Sequence, residues 1–308
     1  MIINTIALIA GLILLWIGAD FFIKGGRIIS GNIGMPPLLI GLTFGAIGTS
    51  MPELIVSSTA AFFGNTNISI GNIIGSNMAN IGLALGLGAI VFPVPVEKQV
   101  IRNDYWILLG SGVLLYCFSI NLQISSAEGL FFIVFFVAYA VSLLMRQRFT
   151  GSRIEDSTLG KKSIGRGVVF FLIGICGLAF GAQLIVNSAS AMARLWGVTE
   201  TIIGISVVAI GTSLPEIAVV IAGSIRKQPE ISIGTIIGSN IINILLITGV
   251  TAIIAPISLK KNEMFIQAPA VIMFTVLLLP VIVSDKLIKR YEGILLFVLY
   301  VGYLLIVF

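Results

Sequence analysis

Residues 46–53 read AIGTSMPE and residues 209–216 read AIGTSLPE, each inside an apolar run long enough to span a membrane. Glu53 and Glu216 therefore fall where an ionised carboxylate costs several kcal/mol unless a positive charge meets it. No Lys or Arg stands close to either in the sequence. A travelling cation is the simplest counter-charge. Within Gly48-Thr49-Ser50-Met51-Pro52-Glu53 the proline offers no N–H to the Gly48 carbonyl and pushes Met51 away from helical geometry, so a kink or opening is expected there. Pro215 acts in the same way on Gly211 and Thr212. Carbonyls freed in this way survive in a membrane only if protein, water or an ion satisfies them.

Working outward, a shift of 163 residues carries Gly11 to Gly174, Gly18 to Gly181, Gly34 to Gly197, Glu53 to Glu216, Asn80 to Asn243 and Pro93 to Pro256 without a gap. SIGNIIGSN at 69–77 returns as SIGTIIGSN at 232–240, with one difference. The chain is thus an internal duplication. Apolar segments fall at about 3–30, 37–63, 69–92, 103–120, 126–145, 166–195, 200–226, 232–256, 264–284 and 290–307. Five spans per copy is an odd number, so the second copy enters the membrane from the opposite face. The expectation is an all-α membrane protein of ten transmembrane helices, built as two inverted five-helix repeats with a site between them near the midplane. Residues 1–145 form the first repeat and 166–308 the second. The charged stretch 146–165 is read as a cytoplasmic linker.

Composition agrees. The chain has a mean hydropathy of +1.12, is 57% hydrophobic and carries only 10% charged residues, which excludes an ordinary soluble domain. The first apolar run is too long for a signal-peptide core and no small-residue cleavage site follows it, so it is read as a retained helix in a multi-pass cell-membrane protein. Of 18 Lys and Arg, all but Arg194, Lys260 and Lys261 fall on one side of a ten-span chain. That side is cytoplasmic by the positive-inside rule, which places both termini outside. The +5 balance is thereby explained by topology, leaving no motive for a nucleic-acid partner. The absence of histidine removes imidazole metal ligation and Ser–His chemistry, and no aspartate pair lies within spans, so an enzyme is not expected. Cys117 and Cys176 lack CxxC spacing and are read as small buried hydrophobes.

The cassettes offer carboxylates, freed carbonyls and the hydroxyls of Thr49, Ser50, Thr212 and Ser213, the hard oxygen ligands that Na⁺ and Ca²⁺ prefer. The next helix of each repeat adds Ser76, Asn77 and Asn80, or Ser239, Asn240 and Asn243. Spacings of three and four residues place Ser76 and Asn80 on one face. Gly71, Gly75, Gly234 and Gly238 form GxxxG patterns that permit close helix approach.

Paired GTS-x-PE and GSN-x-x-N motifs on adjacent helices resemble the repeats of the cation/calcium antiporter superfamily, most closely the prokaryotic sodium/calcium exchangers, over all ten spans. The resemblance implies a secondary antiporter in which Glu53 and Glu216 are shared ligands of Ca²⁺ and Na⁺, assisted by backbone oxygens of Thr49 and Thr212. It further implies flanking Na⁺ sites lined by Ala46, Ser50 and Ser76, and by Ala209, Ser213 and Ser239. The first and sixth spans would be long helices that slide against the other eight, and Gly18-Ala19 and Gly181-Ala182 suit a sliding contact as well as static packing. Some archaeal and potassium-dependent relatives carry aspartate where this chain has Asn243, so its centre holds two carboxylates and two amides and looks potassium-independent. With the family's three-for-one ratio, a site of charge −2 is left at +1 by Na⁺ and neutral by Ca²⁺, making exchange electrogenic.

Other readings stand beside this one. A cation/proton antiporter of the same fold would protonate Glu53 and Glu216 instead of binding Na⁺, and a passive cation channel would show no counterflow. Asn80 and Asn243 are ligands or helix-joining amides. Asp20, whose repeat partner is Gln183, is explained by an i,i+4 pair with Lys24. Asp104, Glu128, Glu200, Glu230, Glu263, Asp285 and Glu292 lie near span ends, where solvation is the default. The Phe-rich stretch 131–136 faces lipid or packs. No resident cofactor and no obligate protein partner is expected beyond the transported ions and the bilayer.

Overall fold

Proline and glycine punctuation cuts the apolar sequence into helices, and the computed structural model describes residues 1–149, 163–197 and 209–307. The helices are α1 (Ile2–Ile33), α2 (Pro37–Thr49), α3 (Met51–Phe62), α4 (Thr66–Val91), α5 (Tyr105–Ser119) and α6 (Ser126–Phe149). After residues 150–162, which hold most of the expected linker and lie outside the described residues, come α7 (Ile164–Leu195), α8 (Ala209–Thr212), α9 (Leu214–Ile225), α10 (Pro229–Ile254), α11 (Glu263–Val283) and α12 (Arg290–Val307). Among the described residues seven helices are long and apolar enough to cross a membrane, and the bent pair α2–α3 makes an eighth.

α1 and α7 are each 32 residues long and pack on one another. At about 1.5 Å per residue each is near 48 Å long, well beyond the roughly 30 Å hydrocarbon layer. The contact has no side chains at its centre. A Cβ on Gly18 would lie 2.7 Å from the Leu178 nitrogen, and one on Gly181 would lie 2.8 Å from the Leu15 nitrogen. Gly18 and Gly181 therefore bring α1 and α7 together backbone to backbone, rather than forming a sliding face toward the remaining helices. α1 ends where Gly34 takes φ 72°, a left-handed conformation open to glycine.

The proline breaks fall one residue earlier than expected. Ser50 (φ −84°, ψ 6°) and Ser213 (φ −86°, ψ 2°) carry the interruption, while Met51 and Leu214 already begin the next helix. The reason is that Pro52 and Pro215 then sit in a first helical turn, where the missing N–H has no partner to lose. The axis bends by 43° between α2 and α3.

Four short strands pair antiparallel as two ribbons: β1 (Val94–Pro95) with β4 (Leu287–Ile288), and β2 (Gln123–Ile124) with β3 (Ile257–Ser258). Wide π-helical turns occur at repeat-equivalent places, Ala79–Leu85 within α4 and Asn243–Ile247 within α10.

Three expectations are corrected. Gly234 and Gly238 give close approach to α2, with Cβ positions 2.5 Å from the Leu38 carbonyl oxygen and 2.6 Å from the Ala46 Cβ, whereas Gly71 faces open space. The GxxxG reading thus holds in the second repeat and fails at Gly71. Cys117 and Cys176 are free and exposed, not buried. A position facing lipid is as apolar as a core, so sequence cannot separate the two. Near the span ends, Asp104 is buried and pairs with Arg146 at 2.7 Å, while Glu128, Glu263 and Glu292 accept backbone N–H bonds from Ser125, Lys260 and Lys289 at helix starts. Glu200 lies outside the described residues. Asp20 pairs with Lys24 as expected, at 2.6 Å, and also with Arg226. In the Phe-rich stretch Phe131 and Phe135 are exposed while Phe132 is buried.

Candidate functional site

Each cassette places its glutamate in the first turn after a helix break, and each is covered by the helix that follows in its own repeat. Glu53 stands in the first turn of α3 and Glu216 in the first turn of α9, both 0% exposed. Ser239, which bonds Glu216, also lies against Thr49 of the Glu53 cassette. Thr49, Ser50, Ser76, Asn80, Thr212, Ser213, Ser239 and Asn243 are all buried, as is Ala46. Ala209 opens α8, and its side chain lies outside the described residues.

Hydrogen bonds cross between the repeats. The Thr49 hydroxyl lies 3.1 Å from that of Ser239, and the Ser76 hydroxyl lies 3.4 Å from that of Thr212. These contacts are exchanged by the repeat relation, so each cassette is stitched to the partner helix of the other repeat. Ser239 Oγ in turn donates to Glu216 Oε1 at 3.2 Å. The Asn80 amide nitrogen donates to Asn240 Oδ1 at 2.9 Å, joining α4 to α10 directly. Gly48 and Gly211 lie against Ile175 and Val186, so α7 packs on both cassettes.

The centre is short of donors. Both carboxylate oxygens of Glu53, Oε2 of Glu216, the hydroxyls of Ser50 and Ser213 and the Oδ1 atoms of Asn77, Asn80 and Asn243 are buried without a hydrogen-bond partner among the described residues. Buried acceptors in a native fold almost always have a partner, and ionised ones require positive charge. All of these atoms are hard oxygens, and the described residues contain no group of three or more His, Cys, Asp or Glu placed to hold a metal ion. A cation held here would therefore take two carboxylates supplemented by neutral hydroxyl, amide and carbonyl oxygens, a set suited to Na⁺ and Ca²⁺.

Asn80 is both things the sequence allowed: its nitrogen joins helices while its oxygen stays open. Asn243 has neither side-chain polar atom engaged among the described residues. Both stand in π-helical turns, a distortion common at functional sites and without any mark in the residue spacing. Sequence reasoning missed Asn72, whose side chain contacts Ser57, the Glu53 carbonyl and Thr212. The available signal was an amide four residues before Ser76, on the same helix face.

Comparison with known proteins agrees in coverage and in class. The family described as sodium/calcium exchanger protein matches residues 3–145 and again residues 166–308. The chain is 31% identical to the sodium/calcium exchanger MaX1 of Methanosarcina acetivorans over 99% of both chains. It is 33% identical to the inner membrane protein YrbG of Escherichia coli over 83% of this chain and 81% of that protein. Its fold superposes on a solved structure of the sodium-calcium exchanger NCX_Mj soaked with 10 mM Na⁺ and 10 mM Sr²⁺, with a TM-score of 0.87, 30% identity and coverage of 99% and 98%. Relatives named as exchangers, together with several membrane-length apolar helices, make this a multi-pass membrane transporter and not an enzyme. Duplicated sequence, helical membrane fold and full-length similarity converge: the chain belongs to the sodium/calcium exchanger family.

Proposed function

We propose that this protein exchanges Na⁺ for Ca²⁺ by alternating access, with Glu53 and Glu216 as the carboxylates that both loads share. The observation that carries the reading is the cluster of buried oxygens around these two glutamates, which form no ion pair among the described residues. One Ca²⁺ neutralises a charge of −2, several Na⁺ can do the same, and the same oxygens cannot hold both. Competition for one site couples the two fluxes. Thr49, Thr212, Ser50, Ser213, Ser76, Ser239, Asn80 and Asn243 supply the neutral oxygens, with Ala46 and Ala209 lining the flanks. With the three-for-one load implied by resemblance, the Na⁺-bound site carries +1 and each cycle moves net charge, worth about 2.3 kcal/mol per 100 mV.

The ten-span inverted repeat with both termini outside is part of this proposal. Eight spans come from the long helices and the bent pair. α5, extended by the wide turn Val100–Asp104, and the α8–α9 run supply the remaining two. The strand pairing supports the count. Val94 pairs with Ile288, both in loops a ten-span chain puts on the cytoplasmic side, and Ile124 pairs with Ile257, both in loops it puts outside.

Unequal environments for equivalent half-helices support alternating access. On the outer side, α3 leaves Met51 40% and Ile55 58% exposed, while on the inner side their equivalents in α9, Leu214 and Ala218, are partly buried. This fits an outward-facing conformation, and the repeat relation describes its inward-facing counterpart. Sealed vesicles test the proposal: ⁴⁵Ca²⁺ uptake should follow an imposed Na⁺ gradient at constant pH. Uptake driven only by a pH step would replace Na⁺ by H⁺ as the counter-ion, and uptake without counterflow would indicate a channel.

A further inference from the structure

Between α1, α7 and the end of α9 lies a cavity of about 280 Å³, and none of the ion-site residues lines it. Three cations do: Lys24 and Arg27 from one face of α1, and Arg226, which directly follows the last residue of α9. The apolar walls are Ile23, Ile28 and Phe170. Arg166 holds its guanidinium 5.2 Å from the centre of the Phe170 ring, which brings a fourth cation to the edge.

Lys24 and Arg226 share one carboxylate. Asp20 pairs with Lys24 at 2.6 Å and with Arg226, so two cations against one anion leave a net positive charge before Arg27 is counted. Lys24 and Arg226 keep 45% and 46% of their side-chain surface exposed, which leaves both able to take a second anionic partner. By the repeat relation the three cavity cations correspond to Asn187, Ser190 and Phe63, so the opposite end of the molecule has no matching cluster. The positive-inside bias explains why basic residues lie on one side, but not why they converge on a concave site with apolar walls.

At this boundary the surrounding solvent is lipid, whose chains match the walls and whose headgroups supply the missing negative charge. Lys and Arg lay their stems along apolar surface and present charged heads at the interface, and basic pockets between spanning helices suit anionic headgroups. A phosphate has several oxygens with which to meet cations from two helices at once, and arginine can take two of them in parallel.

We propose that this cavity binds the phosphate of an anionic phospholipid between Lys24, Arg27 and Arg226, with an acyl chain lying along Ile23, Ile28 and Phe170. The occupant ties the long α1–α7 pair to α9, the helix that carries Glu216. Its place in the cytoplasmic leaflet rests on the topology proposed above, whereas binding itself requires only the cavity.

The test is thermal unfolding of the purified protein in detergent and Ca²⁺-free buffer, titrated with phosphatidylglycerol or with phosphatidylcholine of the same chains. Phosphatidylglycerol should protect and phosphatidylcholine should not. Lys24→Gln and Arg27→Gln should each raise the phosphatidylglycerol needed for half-protection about five-fold, the effect of one cation near a headgroup. Asp20→Asn removes the competing carboxylate and leaves all the cations, so it should lower that amount; this gain keeps the test decisive where a cation variant folds poorly. The exposed pair Lys98→Gln and Arg102→Gln, outside the cavity, should leave the titration unchanged. Equal weakening by this control pair would mean diffuse attraction and overturn the site. Equal protection by inorganic phosphate would make the ligand a soluble anion, and equal protection by the two lipids would remove the headgroup from it; either result overturns the proposal.

Discussion

Replacing Glu53 by glutamine separates a ligand from a structural carboxylate. Both Glu53 carboxylate oxygens are buried and neither accepts a well-formed hydrogen bond among the described residues, so glutamine removes charge without breaking a bond the fold relies on. At roughly 4 Å and an effective dielectric near 20, one unit-charge pair is worth about 4 kcal/mol. For divalent Ca²⁺ the nominal value doubles, and dehydration of the ion offsets part of it. The expected loss of Ca²⁺ affinity is therefore about 10³-fold or more. Thermal unfolding of purified protein with and without Ca²⁺ is the assay. Ca²⁺ at 100 times its dissociation constant should stabilise the unmodified protein by about 2.7 kcal/mol, and Glu53→Gln should abolish that shift. Without ions the variant should melt at the same temperature or higher, because a buried charge without a partner has gone. A variant that keeps the Ca²⁺ shift, or melts well below the parent in ion-free buffer, refutes the assignment of Glu53 as a ligand. Glu216→Gln should behave alike with a smaller ion-free gain, since Ser239 already donates to Glu216.

Asn243→Asp adds a third acid among the open oxygens and should change the pH or K⁺ dependence of exchange; an unchanged profile places this side chain outside the ion shell. Gly18→Leu should separate α1 from α7, where a Cβ already meets backbone at 2.7 Å, costing about 1–3 kcal/mol and most of the transport rate. Gly302→Ala, with open space around it, should leave melting and flux unchanged. In the loop after α4, burial and then the neighbouring charges of Glu230 and Asp104 raise the pKa of Glu97. The folded state thus disfavours ionised Glu97, a destabilisation that is absent below the unfolded pKa and grows as pH rises toward the folded one. Glu97→Gln should therefore raise the melting temperature at pH 8 and make little difference near pH 4, as differential scanning across pH will read.

The two cassettes were legible because polar residues inside membrane-length apolar runs have few structural excuses and because each appears twice. Glu53, Glu216 and the hydroxyls around them follow from that alone, and the structure places them in one buried cluster. The long apolar helices among the described residues were legible for the same reason, since hydropathy is a property of composition. What escaped depends on three-dimensional partners. Ser50 rather than Met51 carries the helix break, because the next helix absorbs its proline in the first turn. The wide turns at Asn80 and Asn243 change which way a side chain points without changing any spacing. Gly71 and Gly234 occupy matching places in the repeat, yet only Gly234 meets another helix. Asn72 looked like a minor difference between two copies, and its weight came from Thr212, which lies 140 residues away. Cys117 and Cys176 show the general limit that lipid-facing and core positions share one alphabet.

The central claim is that Na⁺ and Ca²⁺ take turns on one pair of carboxylates, and equilibrium ⁴⁵Ca²⁺ binding to the purified protein at fixed pH with increasing Na⁺ measures this directly. The account predicts that Na⁺ displaces Ca²⁺ completely and steeply, with a Hill coefficient above one, and that K⁺ at the same ionic strength does not. Ca²⁺ that stays bound at saturating Na⁺, or is displaced equally by K⁺, would contradict it.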